Sequence, residues 1–235
     1  MLVPSSTSGR PLTVPYKYIF SLIVVFCTTI LSKMNAGSDR WAPVVDSLQV
    51  KDLLGQLSDK RGKIARMIHS GDLLQLRRGL YATRRDLNPF CLAASIYGPS
   101  YISFETALSF YGLIPEAVYE ITSATLKRPK VFENIFGHFR YHNISRAVYS
   151  IGIERIEESG MPFLIASPTK ALCDRIALEP RLRSMSDVRR WVELMRLNEE
   201  PALDAAILDA CAENYKCPSV RFLRQTVDKY GGLLP

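Results

Sequence analysis

The chain lacks the signatures that mark most enzyme sites. It has no G-x-S-x-G turn, no P-loop, no G-x-G-x-x-G and no paired-carboxylate motif. Nothing in it sets a phosphate cradle or an activated nucleophile at a recognisable spacing. Histidine is scarce, with three in 235 residues. Two of them, His138 and His142, flank one alternating segment, and no Asp or Glu stands at a spacing that completes a metal site with them. No metal and no cofactor is expected. The five cysteines, Cys27, Cys91, Cys173, Cys211 and Cys217, are odd in number and contain no C-x-x-C. That pattern excludes a disulfide scaffold and a zinc ribbon. Cys91 and Cys173 sit among apolar neighbours and read as buried small hydrophobes. A reducing cytoplasm fits, and the expectation is a protein that is not an enzyme.

A long apolar run is also missing. The strongest, "YIFSLIVVFCTTIL" at Tyr18–Leu31, has 14 residues without a charge, whereas a spanning helix wants about 20. Arg10 and Lys17 precede it, as in a signal peptide, but no small-x-small cleavage site comes after it. Three readings stand: an anchor or signal, a buried strand or helix, or sequence upstream of a true start at Met34. The late start is preferred, because the chain from Met34 onward reads as a complete cytoplasmic protein.

Charge is present and uneven. The formal net charge is +7. Between Asp59 and Arg85 stand eight basic residues, Lys60, Arg61, Lys63, Arg66, Arg77, Arg78, Arg84 and Arg85, against Asp59 and Asp72. From Asp86 to Pro235 there are 17 basic and 18 acidic residues. The excess therefore sits in one short segment and the extreme N-terminus, where it suits a polyanion.

That segment has an order. Val50, Leu53, Leu54 and Leu57 fall at helical spacing, giving a short helix over "VKDLLGQL". Ser58 caps a second helix, "DKRGKIARMIHSG", with Ile64, Met67 and Ile68 as its apolar stripe and Gly71 as its end. A strand pair follows in "DLLQLRRGLYATRR", with Arg77, Arg78 and Gly79 at the bend. Two helices and a hairpin predict a winged helix-turn-helix, whose second helix enters the major groove. Lys60, Arg61, Lys63, Arg66, Arg77 and Arg78 are the candidate DNA contacts, with packing near the wing as the alternative for Arg66. Leu74, Leu76, Leu80 and Tyr81 tie the wing to its own core. The bland alternative is a small helical subdomain with a solvated basic face.

The remainder reads as mixed α/β with a helical end. Ser103 caps a helix over "FETALSFYG", and Val118–Leu126 is rich in β-formers. "FGHFRYHNI" alternates, with Phe139 and Tyr141 on one face and His138, Arg140 and His142 on the other. "VYSIGIERI" and "PFLIAS" are further strand candidates. Ser167 and Pro168 open a helix, and the pattern is helical over Val188–Leu197, Ala202–Asn214 and Ser219–Tyr230. Lys170 and Asp174, one turn apart, read as a surface or cap pair. The fold class is α+β, with an extension over 1–33, the winged helix over 34–86 and a second domain over 87–235, divided into a core (87–180) and a helical part (181–235).

Four blocks taken together resemble the AbiEi antitoxins of type IV abortive-infection toxin–antitoxin systems. They are "LRRGLYAT" (Leu76–Thr83), "YISFETALSFYGLIPE" (Tyr101–Glu116), "TSATLKRPKVFENIFGHFRYHNIS" (Thr122–Ser145) and "ASPTKALCDRIAL" (Ala166–Leu178). Each is weak alone; four in the family's order are specific. The resemblance implies that the winged helix binds inverted repeats in the protein's own promoter and represses its operon, two protomers sharing a palindromic site. It implies that the second domain counters a nucleotidyltransferase-like toxin, with no direct complex assumed. Lys170 and Asp174, in the last block, become antitoxin-function candidates. One departure is visible: the family usually carries Glu before Lys-Ala-Leu, and here stands Thr169. The alternative is a stand-alone winged-helix regulator without antitoxin activity.

Overall fold

A computed structural model of the chain describes residues 41–115, 118–158, 160–197 and 201–233. The 1–33 extension, Tyr18–Leu31 and Met34 lie outside the described residues. Strand β1 (Val44–Asp46) runs straight into helix α1 (Ser47–Leu53). Asp46 makes the junction. Its carboxylate accepts from the Leu48 and Gln49 amides, and the Gln49 side chain accepts from the Asp46 amide. This capping box fixes the first turn, so the helix begins earlier than the leucine spacing indicates. Only Val50 of α1 is buried, while Leu53 and Leu57 remain 48% and 50% exposed.

Helix α2 (Lys60–Ser70) is capped by Asp59 rather than by Ser58. The Asp59 Oδ1 accepts from the Gly62 amide at 2.8 Å. A Cβ on Gly62 would stand 1.9 Å from Asp59 Oδ2, so the glycine makes room for the carboxylate to close on the helix. Gly71, with φ +82°, ends α2 in the left-handed region, as its position predicts. Strands β2 (Leu74–Arg77) and β3 (Leu80–Ala82) form the expected hairpin. β3 lies between β1 and β2, antiparallel to both. Three-residue β1 shows too little alternation to be read from sequence.

Beyond Arg85 the chain alternates helices with a mixed six-stranded sheet. Its elements are α3 (Pro89–Tyr97), β4 (Ser100–Ile102), α4 (Phe104–Phe110), β5 (Glu120–Thr125), β6 (Lys130–Asn134), β7 (Gly137–Asn143), α5 (Arg146–Tyr149), β8 (Ile153–Glu158), β9 (Met161–Ala166) and α6 (Pro168–Ala177). Three helices, α7 (Met185–Met195), α8 (Ala205–Asn214) and α9 (Pro218–Tyr230), complete it. The sheet order is β6-β7-β5-β4-β9-β8; β5 with β7 and β4 with β9 are parallel, and the remaining pairs are antiparallel. "VYSIGIERI" is not one strand: Val148 and Tyr149 end α5, Gly152 turns with φ +59°, and only then does β8 begin.

The pleat sorts the side chains. Phe139 and Tyr141 face α3, where the Tyr141 hydroxyl donates to the Ala93 carbonyl at 2.8 Å. On the opposite face, Tyr101 and Thr122 meet α6 and α4. Helix α3 buries Cys91, Leu92, Ala93 and Ile96. Each fully buried leucine or isoleucine of this kind is worth about 1.5–3 kcal/mol over an exposed one. One hydrophobic core runs from Leu74, Leu76, Leu80 and Ala82 of the hairpin through the sheet to Leu233, and Pro43–Pro235 is one compact unit. The hairpin leucines are thus buried as expected, but in a core shared with the larger sheet. The fold is mixed α+β. Among the described residues no helix is long and apolar enough to cross a membrane.

Candidate nucleic-acid interface

The α2–hairpin region presents the six sequence-predicted cations. Arg61, Lys63 and Arg66 are exposed along α2 and Lys60 is half-buried at its start, while Ile64 is buried. Arg66 leans back towards the cap, with Nη1 3.7 Å from Asp59 Oδ2. At 67% and 64% side-chain exposure this pair contributes little to stability. Lys60, Arg61 and Lys63 have no ion-pair partner among the described residues. They cluster in the N-terminal half of α2.

The hairpin tip is held, and it separates two arginines that the sequence places together. The Ser47 amide donates to the Gly79 carbonyl at 3.0 Å, fixing the turn against the start of α1. Arg77 folds back: its Nε donates to the Ile96 carbonyl at 2.8 Å, near the end of α3, and its Nη1 donates to the Arg78 carbonyl at 3.3 Å. Arg77 is therefore first a tether between the hairpin and α3. Arg78 keeps its guanidinium free at the tip, with no side-chain partner among the described residues. Arg84 pairs with Asp86 at 3.5 Å.

The second pair of candidates is placed quite differently. Lys170 and Asp174 are 0% exposed, with Lys170 Nζ 2.6 Å from Asp174 Oδ1. The surface or cap reading is wrong because the helix face carrying both residues packs inward against the sheet and α8. Asp174 is fully satisfied there. Its Oδ2 accepts from Ser103 Oγ at 2.6 Å and from the Tyr101 hydroxyl at 2.9 Å, and its Oδ1 also accepts from the Tyr215 hydroxyl. Lys170 Nζ donates to the Tyr215 hydroxyl at 3.3 Å. Burial first, and the Asp174 charge second, push the Tyr101 and Tyr215 hydroxyls far above their ordinary range, so both act as donors. Ser103 occupies the N-cap position of α4 but makes no capping bond, because its hydroxyl is committed to Asp174.

Such a cluster holds α4, α6, α8 and β4 in register. A buried charge pair contributes little net stability when complete, yet leaves an uncompensated charge when either partner is removed. Thr169, where a Glu was expected by resemblance, is also buried and accepts from the Asp204 amide at 2.8 Å, securing the start of α8. Tyr101, Ser103 and Tyr215 were missed from sequence as members of this cluster. Alternation could have placed Tyr101 inward, but its partner lies 73 residues away.

A further polar group lies across β5, β6 and β7, on the face of the sheet opposite Phe139 and Tyr141. Arg140 Nε donates to Glu120 Oε2 at 2.6 Å, and His138 lies 3.9 Å from Glu133. The His142 ring packs on Phe104 at 4.8 Å between centroids. Burial holds the His142 imidazole below its ordinary value of 6.5, against the opposing pull of Glu105. Among the described residues no three His, Cys, Asp or Glu side chains are placed to hold a metal ion. No protein-family model and no curated protein sequence matches the chain.

Proposed function

We propose that the chain is a DNA-binding antitoxin of the AbiEi kind, which represses its own operon and counters a nucleotidyltransferase-like toxin. One observation supports the DNA-binding half above others. The order β1-α1-α2-β2-β3, with strands arranged β1-β3-β2, is the order in which winged helices set a recognition helix beside a wing. Helix α2 then offers Arg61 and Lys63 from its N-terminal half to the major groove, and Arg78 reaches the adjoining backbone. The winged helix, the own-promoter site with inverted repeats and a pair of protomers on it belong to this reading, as does a cytoplasmic location.

The antitoxin half is supported by the blocks Tyr101–Glu116, Thr122–Ser145 and Ala166–Leu178. Their residues meet inside the protein: Ser103 and Tyr101 bond Asp174, and Thr122 Oγ1 donates to the Ser103 carbonyl at 2.7 Å. Segments that look alike in order and also interlock favour a shared fold. No catalytic role is assigned to any residue; the protein acts by binding.

Two measurements test the reading. Mobility shifts of the DNA upstream of its gene should show a retarded complex that the Arg61→Ala, Lys63→Ala double variant loses. Co-expression with an adjacent nucleotidyltransferase-like gene should relieve that gene's toxicity. A shift without relief leaves a stand-alone regulator, and no shift defeats the DNA-binding half.

A further inference from the structure

The near-neutral balance of residues 86–235 hides a local excess of positive charge. Lys127, Arg128 and Lys130 stand in the connection from β5 into β6, and all are exposed. The fold carries this connection to the hairpin. Asn134 Nδ2, at the other end of β6, donates to the Leu76 carbonyl of β2 at 3.2 Å, so β6 runs beside the wing. A cleft of about 580 Å³ results, lined by Arg77, Arg78, Lys127, Lys130, Tyr97 and Phe132 together with the last turn of α3. Four cations line it and no carboxylate does.

The lysines are positioned without acidic partners. Lys127 Nζ lies 5.0 Å from the Tyr97 ring centroid, and Lys130 Nζ lies 4.9 Å from that of Phe132. The ring faces attract the ammonium groups but accept no conventional hydrogen bond, so the N–H donors stay available. Two local roles could each explain one cation. A lysine on edge strand β6 discourages strand pairing, and a cation near the end of α3 complements its dipole. Neither role calls for four cations converging from two separate segments on one cleft.

We infer that this cleft seats the sugar–phosphate backbone of duplex DNA flanking the stretch read by α2, so that the second region of the chain contributes to DNA binding directly. The inference rests on the DNA-binding reading above. Phosphate oxygens take contacts from Lys127, Lys130 and Arg78, and Arg77 presents whatever donors its tether to Ile96 leaves. Backbone contacts of this kind add affinity without adding sequence preference.

The test uses the full chain and fluorescence anisotropy on two 40-base-pair duplexes, one from upstream of the gene and one of random sequence, between 50 and 300 mM NaCl. The Lys127→Ala, Lys130→Ala variant should lose affinity for both duplexes alike. Its slope of log K against log salt should flatten by about 2, at about 0.9 for each phosphate left unneutralised. Lys127→Arg with Lys130→Arg should restore the slope, which separates charge from folding. A double-alanine slope equal to that of the unmodified protein overturns the cleft assignment alone, provided Arg61→Ala still flattens it. Absence of any salt-dependent binding by the unmodified protein overturns both readings. Tighter, Lys127- and Lys130-dependent binding of a single-stranded RNA than of either duplex overturns the duplex assignment.

Discussion

The basic face and the Lys170–Asp174 cluster make opposite use of charge. On α2, Arg61 and Lys63 are exposed and have no ion-pair partner among the described residues, so they cost little and are free to meet another charged surface. Inside the larger sheet, one lysine and one aspartate are fully enclosed and every oxygen of the carboxylate is occupied. The first arrangement is suited to an external partner, the second to fixing internal geometry. Placing both in one core-sharing unit means that sequence-level charge is a poor guide to role until burial is known.

Substitutions should divide along the same line. Asp174→Asn should have the largest effect on folding, about 3–5 kcal/mol, because Lys170 is left as an uncompensated buried charge; urea unfolding would measure it, and a loss under 1 kcal/mol would show the cluster to be looser than the geometry indicates. The Lys60, Arg61, Arg77, Arg78 quadruple alanine variant should behave in reverse. Its operator affinity and salt slope should fall sharply, and the stability it loses should trace to Arg77, whose bond to Ile96 is charge-assisted and worth about 1.5–3 kcal/mol; restoring Arg77 alone should recover stability but little of the slope.

Smaller effects sharpen the comparison. Asp59→Ala should cost about 1 kcal/mol through the lost cap of α2, with DNA affinity following helix stability rather than charge, since the substitution itself removes a negative group. The pH dependence is subtler. His142 is held below 6.5 in the folded protein, so on acidification the unfolded chain takes up the proton first. Stability should fall as pH drops below about 6.5 and level off once the folded imidazole also protonates. His142→Phe should flatten that slope in thermal melts over the same range.

How much of this was legible in the sequence depends on the distance over which each decision is made. Local signals were readable: Gly71 as a terminator, the Arg78–Gly79 bend, the inward Phe139 and Tyr141, and Ser167 before Pro168. Competing local signals were not resolved, as at Ser58 and Asp59, where only the reach to the Gly62 amide decides the cap. Helix α3 gave no reading because it is apolar on nearly every side, which removes the stripe that marks a surface helix. Long-range choices were hidden altogether. Ser103 has every attribute of a cap and is instead drawn to an aspartate 71 residues away. The candidate cations on α2 were found because their neighbours are local. Lys127 and Lys130 were not, because their proximity to the hairpin is a product of sheet order.

The tether from Arg77 to Ile96, with Leu74, Leu76 and Leu80 sunk in the common core, has a consequence for how such a protein diversifies. The hairpin is not a detachable cartridge. If the proposed function holds, a change of DNA target has to come from the outward residues of α2, one side chain at a time, because exchanging the whole segment for a foreign one would also require a new inner surface on α3 and β6.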